Sequence, residues 1–263
     1  MTSTSVVLPA EAEAPDAAGA HPAPSHQAPP PPPPPPPPDF AHQRPTTLPC
    51  GTSYTLSCSP AHDGAHLAFI YCVATFPATP PASVFALLTH PGACGAGVWR
   101  DVKALTHRTM EADAVPGAPG DPPGSLGVRS VLVTQVGEVR LAVKALRFET
   151  HLRVVEDARG AGAGTFYTHF SLARPGGALR RFHGTWALRP GGQGGAGTVA
   201  LLTQDVCPAG CPPGVNHVPV VGRLVRGACA RAVRRMVEDL AAALAGAEAG
   251  GGVDAWVAGR TKA

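Results

Sequence analysis

The segment Leu179-Arg-Arg-Phe-His-Gly-Thr-Trp-Ala-Leu188 and the segment that follows at residues 219–245 decide the fold. In the first, Phe182, Gly184 and Trp186 recur at every second position, so in a strand they point to one side. In the second, apolar residues recur at steps of three and four, which predicts one long amphipathic helix. Together they indicate an apolar enclosure between a sheet and a helix. The apolar positions of this predicted helix are Val221, Val225, Ala228, Ala232, Met236, Leu240 and Leu244.

Further strands are predicted on both sides of the first segment. They lie at residues 67–73, 100–110, 146–154, 165–172 and 198–206, and a short helix is predicted at residues 82–89 after Pro80 and Pro81. Alternation of apolar and polar residues at hairpin spacing is typical of an antiparallel meander with one buried face. The sequence therefore predicts an α+β fold, with a curved antiparallel sheet of about six to seven strands wrapped on the long C-terminal helix.

The chain divides into three predicted parts. Residues 1–62 are predicted to be a disordered, Pro-rich tail, residues 63–248 the folded domain, and residues 249–263 a flexible C-terminal tail. The unbroken proline run at residues 29–38 predicts a stiff polyproline II rod with a rise of roughly 3.1 Å per residue. Two roles stay open for it: a spacer, or a ligand for SH3, WW or profilin-type domains.

Composition limits the cellular compartments and the classes of partner that we expect. The net charge of +3 is too small to indicate a nucleic-acid-binding protein, so no nucleic acid is expected as a partner. The seven cysteines are odd in number and irregularly spaced, which favours a reducing intracellular compartment without a disulfide framework. Acidic residues and the absence of an early arginine count against a transit peptide, so we favour the cytoplasm over the chloroplast.

Motifs that carry catalysis or bind metals are largely missing. The sequence contains no Gly-x-Ser-x-Gly elbow, P-loop or His-Glu-x-x-His motif. The spacing of Cys207 and Cys211 is permitted for a zinc half-site, but no second pair accompanies it. Glu149 and His151 fall on the predicted solvent face of their strand. We therefore expect no catalytic residue, no metal site and no cofactor, and favour a binding protein over an enzyme.

The order of elements resembles the helix-grip fold of the START-like, or SRPBCC, superfamily. The resemblance spans residues 66–246. Within the superfamily, the chain most resembles the polyketide cyclase/dehydrase and coenzyme Q-binding START-like group of plant and algal type. Four motifs carry it: Phe182-His-Gly184-Thr-Trp186-Ala-Leu188-Arg-Pro190, Arg234-Arg235-Met-Val-Glu238-Asp239-Leu240, Val84-Phe-Ala-Leu-Leu-Thr89 and Val98-Trp99-Arg-Asp-Val102.

The resemblance implies a hydrophobic cavity between the sheet and the C-terminal helix. Its expected ligand is a hydrophobic small molecule, a lipid or an isoprenoid quinone, which the protein sequesters or transports. Gly184 is expected to leave room in the cavity, and the polar groups expected inside are hydroxyls, none of them a ready general base. The residues expected to line the cavity are Tyr71, Phe148, Thr150, Phe166, Phe170, Phe182, Trp186, Val225, Met236 and Leu240.

Two alternative functions stay open, a polyketide cyclase/dehydrase-like enzyme and an adaptor that acts through the proline run. The polar face of the predicted helix carries Arg223, Arg226, Arg231 and Arg234. This face is either an ordinary solvated surface or a site of transient contact with an anionic membrane surface.

Overall fold

The computed structural model describes residues 35–60, 68–116, 126–141, 144–174, 177–191, 195–209 and 219–261. In these ranges nine strands form one antiparallel sheet in the order β1-β2-β3-β9-β8-β7-β6-β5-β4. The strands are β1 (Thr46–Thr47), β2 (Ser53–Ser59), β3 (Ala68–Phe76), β4 (Val102–Pro116), β5 (Leu126–Leu141), β6 (Lys144–Asp157), β7 (Phe166–Leu172), β8 (Leu179–Gly191) and β9 (Gly197–Pro208). The helices are α1 (Pro81–Thr89), α2 (Pro219–Ala249) and α3 (Val253–Thr261), with short 3-10 turns at Phe40–His42 and Ala161–Ala163.

The predicted α+β class, with an antiparallel sheet and one long C-terminal helix, is confirmed, but the predicted strand count is too low. Strand β5, which the prediction missed, is rich in β-branched valines and pairs with β6 from Val128 to Leu141. Strands β1 and β2 lie within the predicted tail, and β2 pairs with β3 along its whole length. The predicted boundary at residue 62 is therefore too late. Residues 1–34, with most of the proline run, lie outside the described residues.

The C-terminal end also differs from the prediction. The last residues, expected to be flexible, contain α3, whose Trp256 packs against Gly246 of α2 so closely that a Cβ at Gly246 would overlap the indole. The helix was predicted to end at residue 245, with Gly246 just after its last turn. Gly246 is instead an interior residue of α2. The helix α2 instead ends before Gly251 and Gly252, whose φ angles of +83° and +113° favour glycine.

The sheet has two distinct faces. Cys72, Leu202, Trp186, Thr168 and Glu156 are successive cross-strand partners and define the inner face. Helices α1 and α2 pack on this inner face, where they form the main core of the domain. The opposite face is called the outer face below. No helix among the described residues is long and apolar enough to cross a membrane.

Helix α2 is held unevenly along its length. Its C-terminal half is anchored by ion pairs to the segment before β4: Arg100 Nη2 lies 2.6 Å from Glu238 Oε2, and Arg235 Nη1 lies 3.1 Å from Asp101 Oδ1. This half also buries the helix residues Val233, Val237, Leu240, Ala241, Ala243, Leu244 and Ala247. In the N-terminal half, residues 225–230 are only partly buried. The first half therefore packs more loosely on the sheet than the second.

Candidate functional site

Three of the predicted cavity residues fill a solid core. Phe166, Trp186 and Leu240 are buried, and Phe85 of α1 stacks on Phe166 with ring centroids 4.9 Å apart. They lie on the inner face, as predicted, where α1 and the anchored half of α2 cover them. At this end of the sheet the interior is closed by side chains.

Three other predicted residues form what we call the apolar wall: Phe170, Phe182 and Met236. All three pack against the core but stay partly exposed, unlike Phe166 and Trp186. The rings of Phe170 and Phe182 lie 5.2 Å apart at an angle of 36°. The apolar wall therefore combines two aromatic side chains of the inner face with one methionine of α2. Val225, one further predicted residue, is partly buried on the loosely packed half of α2.

The prediction for Tyr71 is wrong. Tyr71 pairs with Thr203, which places it on the outer face, opposite the face that packs on α2. Its ring is buried there by an edge-on contact with Phe40, with centroids 4.7 Å apart. Sequence alternation placed the larger residues of β3 inside, but the smaller set, which includes Cys72 and Ala74, packs in the core. Burial raises the pKa of the Tyr71 hydroxyl.

Phe148 and Thr150 share the inner face but lie apart from the apolar wall. Phe148 covers Gly137 of β5, and Thr150 is buried beside it on β6. A second, smaller core consists of Val131, Val133 and Leu152. Along β6, Phe148 lies four residues, or roughly 13 Å, from Leu152. These two residues therefore extend the inner face without joining the aromatic pair.

Gly184 has a different role from the one predicted. A Cβ there would lie 2.6 Å from Cζ of Phe170 and 2.5 Å from the backbone oxygen of Thr203. The space that glycine leaves is thus occupied by the ring of Phe170, which crosses the strand. Gly184 is required for this close packing, and it sets the position of the apolar wall.

The inner face also carries a buried ionic cluster that the sequence did not predict. Glu156 is 1% exposed and accepts hydrogen bonds from two arginines. Arg108 Nη2 donates to Oε1 at 2.8 Å, and Arg129 Nε donates to Oε2. Because both carboxylate oxygens are engaged by guanidinium groups, the cluster carries an excess of one positive charge. The expectation that only hydroxyl groups lie inside is therefore wrong.

Two further polar groups lie on the inner face. Thr168 is the cross-strand partner of both Glu156 and Trp186, and its buried Oγ1 has no hydrogen-bond partner among the described residues. Gln204 is also buried, but it lies on β9, which β8 separates from the strand of Thr168. Buried polar atoms are normally hydrogen-bonded, so an unpaired hydroxyl on the inner face indicates a place for a polar ligand atom or water.

Arg226 does not belong to the solvated face of α2. Arg223, Arg231 and Arg234 are exposed, as predicted, but Arg226 is partly buried, and its Nη1 is fully buried without a hydrogen-bond partner in the described chain. Arg226 lies seven residues before Val233, on the stripe of α2 that packs in the core.

Signals for the missed residues were present in the sequence. Glu156 continues the inner alternation of Leu152 and Val154 by one more step, and Arg226 continues the seven-residue spacing of Val233 and Leu240. Arg129 had no such signal, because its strand was not predicted.

The outer face holds a separate shallow pocket of about 350 Å³. His183 Nε2 lies 3.0 Å from Asp205 Oδ2, and the Nδ1 of His169 is 2.8 Å from the hydroxyl of Thr185. Burial lowers the pKa of His169, and Arg159 lowers it further while Asp157 opposes the shift. The pocket is lined by Phe69, His169, Phe170, His183, Gly184, Thr185, Thr203, Gln204 and Asp205.

The described part of the chain contains no candidate metal site. Its His, Cys, Asp and Glu residues form no group of three that could hold a metal ion. Cys207 is a buried free thiol, and Cys211 lies outside the described residues. Burial raises the pKa values of Cys58 and Cys72 to about 12, so both are neutral thiols at physiological pH.

Glu149 and His151 lie on the outer face, as predicted. His151 Nε2 lies 3.2 Å from Glu149 Oε1, with both side chains open to solvent. This pair is remote from the inner-face groups and has the surroundings of an ordinary surface pair.

Comparison with known proteins gives similarity of fold at low sequence identity. No protein-family model matches the chain, and no curated protein matches it. A STAR-related lipid transfer protein from Xanthomonas axonopodis matches with a TM-score of 0.47 and 10% identity, over 77% of this chain and 98% of that one. Human STARD10 matches with a TM-score of 0.45 and 13% identity, over 75% of this chain and 72% of that one. An aromatase/cyclase, ZhuI from Streptomyces sp. R1128, matches with a TM-score of 0.40 and 11% identity, over 67% and 93%.

At these TM-scores the likenesses carry no conclusion about superfamily, ligand or activity. The architecture rests on the chain's own elements: the short α1, the antiparallel sheet, and α2 packed on the inner face. The predicted plant or algal type stays a prediction.

Proposed function

We propose that the protein binds a hydrophobic small molecule between the inner face of the sheet and α2, at the apolar wall. One observation carries the proposal: the residues Phe170, Phe182 and Met236 of the apolar wall remain partly exposed beside a fully packed core. Partly exposed apolar side chains beside a packed core are stabilised when an apolar ligand removes their surface from water.

The uneven anchoring of α2 supports an entry route at the N-terminal end of this helix. The ion pairs of Arg100 and Arg235 hold the C-terminal half of the helix, while the N-terminal half exposes Val220 and Leu224 by 77% and 63%. A helix that is fixed at one end moves most at the other, so a ligand enters where α2 begins. In its more specific form, the proposal is that the protein sequesters or transports a lipid or an isoprenoid quinone.

The test measures binding of N-phenyl-1-naphthylamine, a neutral apolar probe whose fluorescence rises in apolar surroundings. Met236→Trp fills the space at the apolar wall, whereas Leu224→Trp adds the same side chain at an exposed site on the same helix. We expect the wild type and Leu224→Trp to bind the probe alike and Met236→Trp to bind at least tenfold more weakly. Absence of probe binding to the wild type, or equal binding by all three proteins, contradicts the proposal.

The enzyme alternative has one observation in its favour, the cationic cluster of Glu156 with Arg108 and Arg129 on the inner face. Fixed positive charge of this kind stabilises an enolate or another developing oxyanion. The carboxylate, held by two guanidinium groups, is poorly placed to act as a base. Faster aldol cyclisation of a β-polyketone thioester by the wild type than by Arg129→Gln supports this alternative. Equal rates for both proteins and for buffer contradict it.

A further inference from the structure

The guanidinium of Arg226 has one buried nitrogen, Nη1, without a hydrogen-bond partner among the described residues. Arginine stays charged at every physiological pH, and a buried charge is costly unless it is paired and hydrogen-bonded. Nη1 has no hydrogen-bond partner among the described residues, and none of the ion pairs there involves Arg226. A group of this kind needs an acceptor, which the described residues do not provide.

The surroundings of Arg226 make room for the guanidinium but do not neutralise it. Its head folds back over Gly222, where a Cβ would lie 2.9 Å from Nη1. Its charge acts on the thiol of Cys58 on β2, but burial and the neighbouring Cys229 raise the pKa of Cys58 to about 12. Cys58 is therefore uncharged and cannot serve as the counter-ion.

One row of the sheet connects Arg226 with the apolar wall. Starting beside Arg226, the inner face presents a thiol, a buried aliphatic side chain, a buried amide, a glycine and an aromatic ring on five neighbouring strands. Four strand spacings cover roughly 19 Å. The row consists of the successive cross-strand partners Cys58, Ile70, Gln204, Gly184 and Phe170.

We propose that the ligand is an anionic amphiphile whose carboxylate or phosphate head pairs with Arg226 and whose apolar tail extends from there toward the apolar wall. This inference rests on the proposed function and adds the charge and the orientation of the ligand. A planar guanidinium suits both head groups, since it donates two parallel hydrogen bonds to a pair of oxygens. The buried amide of Gln204 lies along the path between head and tail.

The experiment compares three probes with the same chain and different heads: dodecanoate, dodecyl phosphate and 1-dodecanol. Each displaces N-phenyl-1-naphthylamine from delipidated full-length protein at pH 7.4, below its micellar concentration. We expect the wild type to bind at least one anionic probe tenfold or more tightly than the alcohol. Preference for dodecanoate over dodecyl phosphate assigns a fatty carboxylate, and the reverse preference assigns a phosphate head.

The variants separate Arg226 from general charge on the helix. Arg226→Gln is expected to lose the preference for anions while binding 1-dodecanol like the wild type. Arg226→Lys keeps part of the preference, and Arg223→Gln, at an exposed site on the same helix, keeps all of it. A preference for anions that survives in Arg226→Gln, or that is absent from the wild type, overturns the inference.

Stability of the ligand-free protein gives a second readout. Because Arg226→Gln removes an unpaired buried charge, we expect its thermal midpoint without ligand to equal or exceed that of the wild type. A lowered midpoint shows that the guanidinium has a structural partner and overturns the inference. If 1-dodecanol binds as tightly as both anions, the proposed function stands and this inference fails. If no probe binds, both fail.

Discussion

Replacement of Glu156 tests the buried ionic cluster quantitatively. Glu156→Gln keeps the shape of the side chain but removes the negative charge that pairs with both Arg108 and Arg129. Unit charges about 4 Å apart interact by roughly 4 kcal/mol at the effective dielectric constant of a protein near its surface. The side chains of Arg108 and Arg129 are 19% and 25% exposed, so each recovers part of this energy by turning toward water. We therefore expect a loss of about 3 kcal/mol in the free energy of unfolding, the lower end of the usual range for a broken buried pair.

Urea denaturation at pH 7 measures this loss. With a slope of about 2 kcal/mol per molar urea, the midpoint should fall by about 1.5 M. The matched control is Glu149→Gln on the outer face of the same strand, where Glu149 and its partner His151 are 54% and 41% exposed. This control should change the free energy of unfolding by less than about 0.5 kcal/mol. If the loss in Glu156→Gln is as small as in the control, at an unchanged slope, the cluster does not contribute as argued.

Three further predictions concern the core, the wall and the outer face. Gly184→Ala forces a Cβ against the ring of Phe170, so we expect the free energy of unfolding to fall by about 1–3 kcal/mol in urea titrations, and an unchanged midpoint would contradict the close packing. Leu240→Ala, at a fully buried site of α2, should lower the free energy of unfolding by about 2–5 kcal/mol. Leu224→Ala, at an exposed site of the same helix, should lower it by less than about 0.5 kcal/mol. Similar decreases for both variants would show that α2 does not pack as described. Burial lowers the pKa of His169, so the unfolded chain binds its proton first and stability falls as the pH drops below the ordinary value of 6.5; thermal melts from pH 7.5 to 5 should show a smaller fall for His169→Gln, and parallel curves would contradict this.

The architecture was predictable from the sequence because its strongest signals are local. Period-two alternation in β8 and in the strands around it, with the three-and-four spacing of α2, specified an antiparallel sheet and a long helix. Strand β2 was missed because its polar residues resemble the Pro-rich segment before it. Its place in the sheet depends on pairing with β3, which is a tertiary interaction.

The candidate site was predictable only in part. Alternation placed Phe170 and Phe182 on the inner face, where the structure has them, but could not tell which face of β3 packs on α2, so Tyr71 was placed on the wrong side. Helical periodicity weighed apolar residues alone, so Arg226 was assigned to the solvated face although its spacing from Val233 is that of a core position. Charged residues in a core stripe contradict the hydrophobic pattern, and such contradictions mark the positions where function is to be sought.

Intermolecular NOEs between a bound apolar chain and the protein test the central claim most directly. With isotope-labelled protein and unlabelled 1-dodecanol, the account predicts NOEs from the chain to the methyl group of Met236 and to the rings of Phe170 and Phe182. Phe170 and Phe182 lie on the inner face of the sheet and Met236 lies on α2, and all three pack against the main core. NOEs to Phe69 and His183 of the outer-face pocket instead, or none to the apolar wall, would contradict the account.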